Sequence, residues 1–373
     1  MITANDFEIF LATAPGLESV LCAEVKSKGF KRAIAVPGGV TIRGGWPEVW
    51  RANLWLRGAG RVLARIASFK ATDLAALEAA ARRVPWAKVL RPDIAVDIGV
   101  ACSKSRIYHT GAAAERLENA IRDTLGVTIA NAAPITIMAR IDNDICTISV
   151  DTSGELLHKR GYKESVNAAP MRETMAALFL RQCGYDGKEP VLDPMCGAGT
   201  FVIEAAEIAA GLNPGRARGF AFELLATYDE TAWAQMRSVS RNLVPTARCY
   251  GRDRDANAIT MSCDNAKRAG VAELTTFTQC PISDLQPPAG PPGLVIVNPP
   301  FGERMSDKSR LSTLYRALGS TLITRFMGWR VGLVTSDKQL AYATALPFMP
   351  TSAPVAHGGL RVTLFQTAAL MAK

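Results

Sequence analysis

The chain has 373 residues, 48% of them hydrophobic, which is enough to bury more than one core and too apolar for a disordered polymer. Against 34 Asp and Glu stand 43 Lys and Arg, a formal charge of +9 that suits a polyanionic partner or a soluble protein that is simply basic. Eight cysteines occur without a C-x-x-C pair and there are three histidines, so no disulfide framework or metal site is legible, and no apolar run approaches the roughly 18 residues of a membrane span.

The amino terminus lacks a charged-then-apolar signal pattern and has an acid by Asp6, so the expected location is the cytoplasm, with reduced thiols. Residues 7–13 read as a strand. Pro15-Gly16-Leu17-Glu18 opens a helix that Gly29 stops, and residues 31–36 and 40–43 form a hairpin across Pro37-Gly38-Gly39. A helix is expected over 47–66, with Trp50, Leu54, Trp55 and Val62 on its apolar face. On that helix Arg57, Arg61 and Arg65 fall at i, i+4, i+8, a spacing that tracks phosphates or forms a solvated basic face.

Further on, 73–83 is a helix, 94–101 a strand and 110–125 a helix, and strand 135–141 pairs with 145–151 across Asp142-Asn143-Asp144. A basic linker follows, Leu157-His158-Lys159-Arg160-Gly161-Tyr162-Lys163. Then Ala169-Pro170-Met171-Arg172-Glu173-Thr174 leads into a helix to about residue 182. From 191 onward strands alternate with helices, at 191–195, 247–252, 275–280, 293–297 and 329–335. This order predicts a parallel sheet covered on both faces, and a final pair near 348–355 and 359–367 closes it.

Between the first two of these strands lies an insertion, residues 211–245, that mixes Arg216, Arg218, Arg237 and Arg241 with Phe220, Phe222 and Trp233. Such a mixture suits single-stranded RNA, or it packs as a helical insert.

Three loops at the carboxyl ends of these strands carry the chemistry. The first, Asp193-Pro194-Met195-Cys196-Gly197-Ala198-Gly199-Thr200, is a strand end, a glycine turn and a helix start. There Gly197 and Gly199 would let backbone approach a ligand, beside Asp193. In the second, Asp253-Arg254-Asp255, the Asp253 carboxylate can accept both hydroxyls of a ribose while Asp255 caps the next helix. Nicotinamide dinucleotide folds place this acid about 20 residues after a three-glycine loop, and here the third glycine is missing and the acid lies much further on. The third loop is Asn298-Pro299-Pro300-Phe301, after the apolar run 293–297. Two prolines stiffen it and remove two donors, so the Asn298 side-chain oxygen and the Pro299 carbonyl are free to accept from an amino group on a flat ring stacked against Phe301. The alternative is a proline-rich exit loop.

Together the first and third loops resemble those of the THUMP-containing RNA guanine-N2 methyltransferases, in particular the bacterial large-subunit ribosomal RNA enzymes. The opening Leu11-Ala12-Thr13-Ala14-Pro15-Gly16-Leu17-Glu18, the Arg160-Gly161-Tyr162-Lys163 segment and the Ala169-to-Thr174 segment are also similar to that family. The resemblance implies an α/β protein. Residues 1–66 would be an α+β ferredoxin-like region, 67–155 a THUMP RNA-binding domain, and 156–373 a Rossmann-like class I methyltransferase domain. It implies S-adenosyl-L-methionine as cofactor, held by Asp193, Pro194, Gly197, Gly199, Thr200, Asp253 and Arg254, with Pro170 and Thr174 alongside. Asn298, Pro299, Pro300 and Phe301 would hold the target guanine.

Relatives place an acid for the adenine amino group after the third strand. Pro281 takes that place here, so Asp284 reaches in from one turn later or backbone groups hold the adenine. The expected partner is RNA, either 23S ribosomal RNA or a ribosome assembly intermediate, with no membrane and no metal. A transfer RNA guanine-N2 enzyme, a DNA adenine-N6 methylase lacking its usual recognition domain, and a non-catalytic RNA-binding assembly factor are the other readings.

Overall fold

The computed structural model describes residues 6–164, 171–239, 244–301, 305–357 and 359–371, with backbone only for 305–308. The chain divides into two compact units. One comprises the residues up to Thr13, Leu21–Leu157 and Arg218–Val239; the other comprises Ala14–Val20, His158–Ala217 and the residues from Ser240 onward.

The first unit is built on a seven-stranded sheet. Its elements in chain order are β1 (Phe7–Ala12), α1 (Glu18–Ser27), β2 (Ile34–Val36), β3 (Gly39–Gly44), α2 (Trp46–Trp55), β4 (Arg61–Lys70), α3 (Leu74–Ala81), β5 (Val96–Ser103), α4 (Thr110–Leu125), β6 (Ile135–Asp142) and β7 (Ile145–Asp151). The strand order is β2-β3-β1-β4-β7-β6-β5, and all neighbours are antiparallel except β5 and β6. Strands from 1–66 and from 67–155 therefore share one sheet, and residue 66 lies inside β4.

The helix expected over 47–66 is two elements. α2 stops at Trp55, where Leu56 turns extended (φ −85°, ψ 122°). The buried amides beyond it are capped from α1: the buried Glu24 carboxylate accepts from Arg57 N at 2.7 Å and Gly58 N at 2.9 Å. After Gly60 the side chains alternate with a period of two, Val62, Ala64 and Ile66 buried and Arg61, Leu63 and Arg65 half-exposed. The three arginines consequently form no helical face. Arg57 is buried, Arg61 pairs with Asp151, and Arg65 pairs with Glu8, its partner across the β1–β4 ladder.

The second unit begins with α5 (Glu173–Gln182), β8 (Val191–Asp193) and α6 (Thr200–Ala209). The insertion that follows belongs largely to the first unit and carries α7 (Glu230–Ser238). Its aromatics are core: Phe220, Phe222 and Trp233 are buried, with Phe222 4.9 Å from Trp233 and 6.0 Å from Trp50 between ring centroids. Arg218 donates to the carbonyls of Leu156 and Glu155. The packing reading of the insertion is the one these residues follow; Arg241 lies outside the described residues.

The second unit then continues with β9 (Cys249–Asp253), α8 (Ala256–Ala269), β10 (Thr275–Gln279), β11 (Leu294–Val297), α9 (Met305–Arg325), β12 (Arg330–Thr335), α10 (Lys338–Ala343), β13 (Val355–His357) and β14 (Leu360–Gln366). Strand order is β10-β9-β8-β11-β12-β14-β13. The first five are parallel, while β14 runs antiparallel to both β12 and β13. The order reverses between β8 and β11, so the loops after those two strands open a crevice at their carboxyl ends. β11 is buried at every position, as a strand with helices on both faces requires.

Candidate functional site

A cavity of about 570 Å³ lies at that crevice, lined by the loops after β8, β9, β10 and β11 together with Met171 and Leu314. β8 ends on Asp193, which is 3% exposed. Its carboxylate accepts one backbone bond, from Met195 N at 3.0 Å. Burial lifts its pKa to about 8, the Met195 bond opposes the lift, and the negative charge of Asp253 adds to it. A carboxyl group raised in this way and facing a cavity favours a cationic ligand, which would return it to the ionised form.

The glycine turn is held from behind by α8. Ser262 Oγ donates to the Gly197 carbonyl at 2.8 Å and Asn265 Nδ2 to the Ala198 carbonyl at 3.0 Å. Both side chains are fully buried. Gly199 caps α6 at φ +83°, and a Cβ there would meet Ser262 Oγ at 3.1 Å and Ile203 Cδ1 at 3.2 Å. It serves helix packing, and Gly197 rather than Gly199 lines the cavity. Asp253 ties the next loop to this one: its Oδ2 accepts from Gly197 N and its Oδ1 from Asp255 N, each at 3.0 Å. Each oxygen keeps a further lone pair for a ligand hydroxyl.

At the end of β11, Asn298 is half-buried, Pro299 buried, Pro300 exposed and Phe301 half-buried. The Asn298 Oδ1 is out of contact with solvent and has no hydrogen-bond partner among the described residues. A buried acceptor left unpaired costs about 1–3 kcal/mol, and its position on a cavity wall is that of an acceptor for a ligand's N–H. The cavity can thus hold a ribose-bearing cation on one side and an amino-substituted ring on the other.

Of the residues singled out in sequence, Asp193, Pro194, Gly197, Thr200, Asp253, Arg254, Asn298, Pro299, Pro300 and Phe301 share this cavity. Asp284 is not among its lining; it ends a 3-10 turn and its Oδ1 accepts from Ser283 Oγ at 3.0 Å. Cys280, Pro281, Ile282 and Ser283 provide that wall instead. Thr174 is buried in the first turn of α5, outside the lining, and Pro170 lies outside the described residues. Sequence reasoning missed Met171, Leu314, Ser262 and Asn265. For the last two a signal existed: polar residues at i, i+3 of a helix, between Ala258 and Ala266 on its buried side.

Lys163 stands in sequence as a linker cation and as the end of the Arg160-to-Lys163 segment that resembles the family. Its Nζ bonds Thr200 Oγ1 and the Glu173 carboxylate, both at 2.9 Å, which ties the linker to the head of α6. Among the described residues no group of three His, Cys, Asp or Glu is placed to hold a metal ion. No helix among them is long and apolar enough to cross a membrane.

Residues 160–352 match the family model UPF0020, described as an RMKL-like methyltransferase domain, and residues 8–63 match the RlmL ferredoxin-like domain. The ribosomal RNA large subunit methyltransferase K/L of Vibrio campbellii is 32% identical over 343 residues, which is 88% of this chain and 48% of that protein. The chain thus spans about half the length of this relative. A possible methylase from Clostridium difficile superposes with a TM-score of 0.87 at 28% identity, covering 98% of each chain. SMU.472, solved in complex with SAH, superposes with a TM-score of 0.85 at 25% identity over 100% of both chains.

Proposed function

This chain belongs to the UPF0020 family of RMKL-like methyltransferase domains, and we propose that it transfers the methyl group of S-adenosyl-L-methionine to the exocyclic N2 of a guanine in 23S ribosomal RNA. The observation that carries the reading is the unpartnered, buried Oδ1 of Asn298, set at a strand end in the same cavity as Asp193 and Asp253. In this reading Asp253 takes the ribose hydroxyls, Asp193 balances the cation, and Pro194, Gly197, Thr200 and Arg254 shape the cofactor wall. Gly199, Thr174 and Pro170 support it from outside, and Asp284 is the weakest member because the lining stops at Ser283.

When bound, the cofactor supplies an electrophilic methyl group. The chain must overcome the poor nucleophilicity of an amine whose lone pair is delocalised into its ring. Asn298 Oδ1 and the Pro299 carbonyl accept the two amino hydrogens, pulling the nitrogen toward tetrahedral geometry and aiming its lone pair. Full orientation of two reactants is worth roughly 7–11 kcal/mol, and the fixed dipoles at the amine add to it. Phe301 offers a stacking face to a base that has left its helix.

RNA contact is assigned to the first unit, with 1–66 the ferredoxin-like part, 67–155 the THUMP part and 156–373 the catalytic domain. Support comes from the matched ferredoxin-like model and from the exposed Tyr108 and Arg106, two positions apart on that unit. Substrate location puts the enzyme in the cytoplasm. The test is incubation of the chain and isotopically labelled cofactor with ribosomal RNA, assembly intermediates and transfer RNA, followed by nucleoside mass spectrometry. Labelled N2-methylguanosine in large-subunit RNA is expected. Label in transfer RNA alone would reassign the substrate, and cofactor binding without transfer to any RNA would reject the activity.

A further inference from the structure

Two prolines fix less of the target loop than their number suggests. Each ring sets φ of its own residue, and each proline confines the residue before it to extended backbone. Every torsion from ψ of Asn298 to φ of Pro300 is therefore restricted. ψ of Pro300 is restricted by neither ring, and it decides where the Pro300 carbonyl points and where Phe301 goes. Pro300 is exposed, so packing of its own ring does not set this torsion either.

A hydrogen bond is placed to do so. The Pro300 carbonyl accepts from the Tyr315 hydroxyl at 3.4 Å. Tyr315 sits on α9 with its side chain wholly buried, in a core cluster with Val297, Leu318, Leu333 and Leu340. Its oxygen is also 3.2 Å from Thr335 Oγ1 at the end of β12, and Thr335 Oγ1 accepts from Asp337 N at 3.2 Å. The phenolic hydroxyl donates to both, its one proton shared between the Pro300 carbonyl and Thr335 Oγ1. The Asp337 N–H fixes Thr335 Oγ1, and that oxygen in turn orients the phenolic hydroxyl. The bond to Pro300 is long for O–H···O, as bonds at a catalytic loop often are before substrate tightens them.

We propose that Tyr315, oriented by Thr335, is a positioning residue that sets the open torsion of the target loop and so the placement of Phe301 against the base. The proposal rests on the methyl-transfer reading above. It is tested by single-turnover methyl transfer to ribosomal RNA and by calorimetric cofactor affinity, on the wild type and on Tyr315→Phe, Thr335→Val and Thr335→Ser. Tyr315→Phe keeps the ring in the core and should slow transfer about tenfold with cofactor affinity unchanged. Thr335→Val should slow it less, and Thr335→Ser, which keeps the hydroxyl, should restore it. A wild-type rate in Tyr315→Phe would overturn the proposal, as would a rate loss matched by an equal loss of cofactor affinity. Failure of the underlying reading looks different: the wild-type control itself would bind cofactor and transfer nothing.

Discussion

Asn53 in the first unit and the side-chain oxygen of Asn298 in the second are both withdrawn from water, and they are served differently. Asn53 Nδ2 donates to the Val49 carbonyl and to Thr152 Oγ1, each at 3.0 Å, and its Oδ1 accepts from Ser153 Oγ at 2.7 Å. Asn298 Oδ1 accepts nothing from the described residues. The acids repeat the contrast: buried Asp151 has Arg61 as its cation, whereas buried Asp193 accepts from one backbone amide and is pushed up to about 8. Buried polar groups are normally paired, so an unpaired one beside a cavity marks where a ligand completes the structure. The first pattern builds a fold, and the second builds a site.

On that distinction, the two asparagines fail differently when truncated. Asn298→Ala should lower the single-turnover rate by about 100-fold to 1,000-fold, the range for losing one fixed dipole at a reacting group, while cofactor affinity stays near wild type by calorimetry. A rate near that of the wild type would erase the contrast. Asn53→Ala should instead cost about 2 kcal/mol in urea unfolding by stranding Ser153 and Thr152, with cofactor affinity unaltered.

Asp193 sharpens the comparison through pH. Its folded pKa lies above the ordinary carboxyl value, so the folded protein carries a proton there that the unfolded chain loses near pH 4. This group's contribution to stability is therefore present at low pH and declines as pH rises through the window from about 4 to about 8. A cationic ligand prefers the ionised carboxylate, so cofactor affinity should run the other way, rising by up to about tenfold per pH unit toward pH 8 and then levelling. Asp193→Asn should flatten both profiles, and comparing the two proteins cancels the ligand's own titration; parallel profiles would contradict the assignment. The smallest effect is expected at Asp284, which lies outside the cavity wall: Asp284→Ala should leave cofactor affinity within about twofold, and a large loss would restore it as an adenine contact.

The parts of the site that were legible in sequence are those written in adjacent residues. An apolar run ending in Asp193 or Asn298, followed by glycines or prolines, specifies a strand, a stop and a stiff turn through local torsions alone, and both loops stand where that reading puts them. The stretch 56–66 was misread because apolar residues and arginines there also fit a helical spacing. Its two-residue alternation becomes decisive only when β1 and β7 flank it in the sheet. The aromatics of the insertion were ambiguous for the same reason, since nothing near them in the chain announces Trp50.

From its own letters the chain determined the alternating parallel sheet, the two loops that face each other in it and the kind of ligand such loops can hold. Only the tertiary structure decided which polar groups are spent and which are left open. It pairs Arg61 and Arg65 within the first sheet, braces Gly197 and Ala198 with Ser262 and Asn265, brings Tyr315 to Pro300 and leaves Asn298 Oδ1 alone. The physical reason is that torsional preference is a property of neighbours in sequence, whereas desolvation and hydrogen-bond pairing are settled by segments that meet only when the chain has folded.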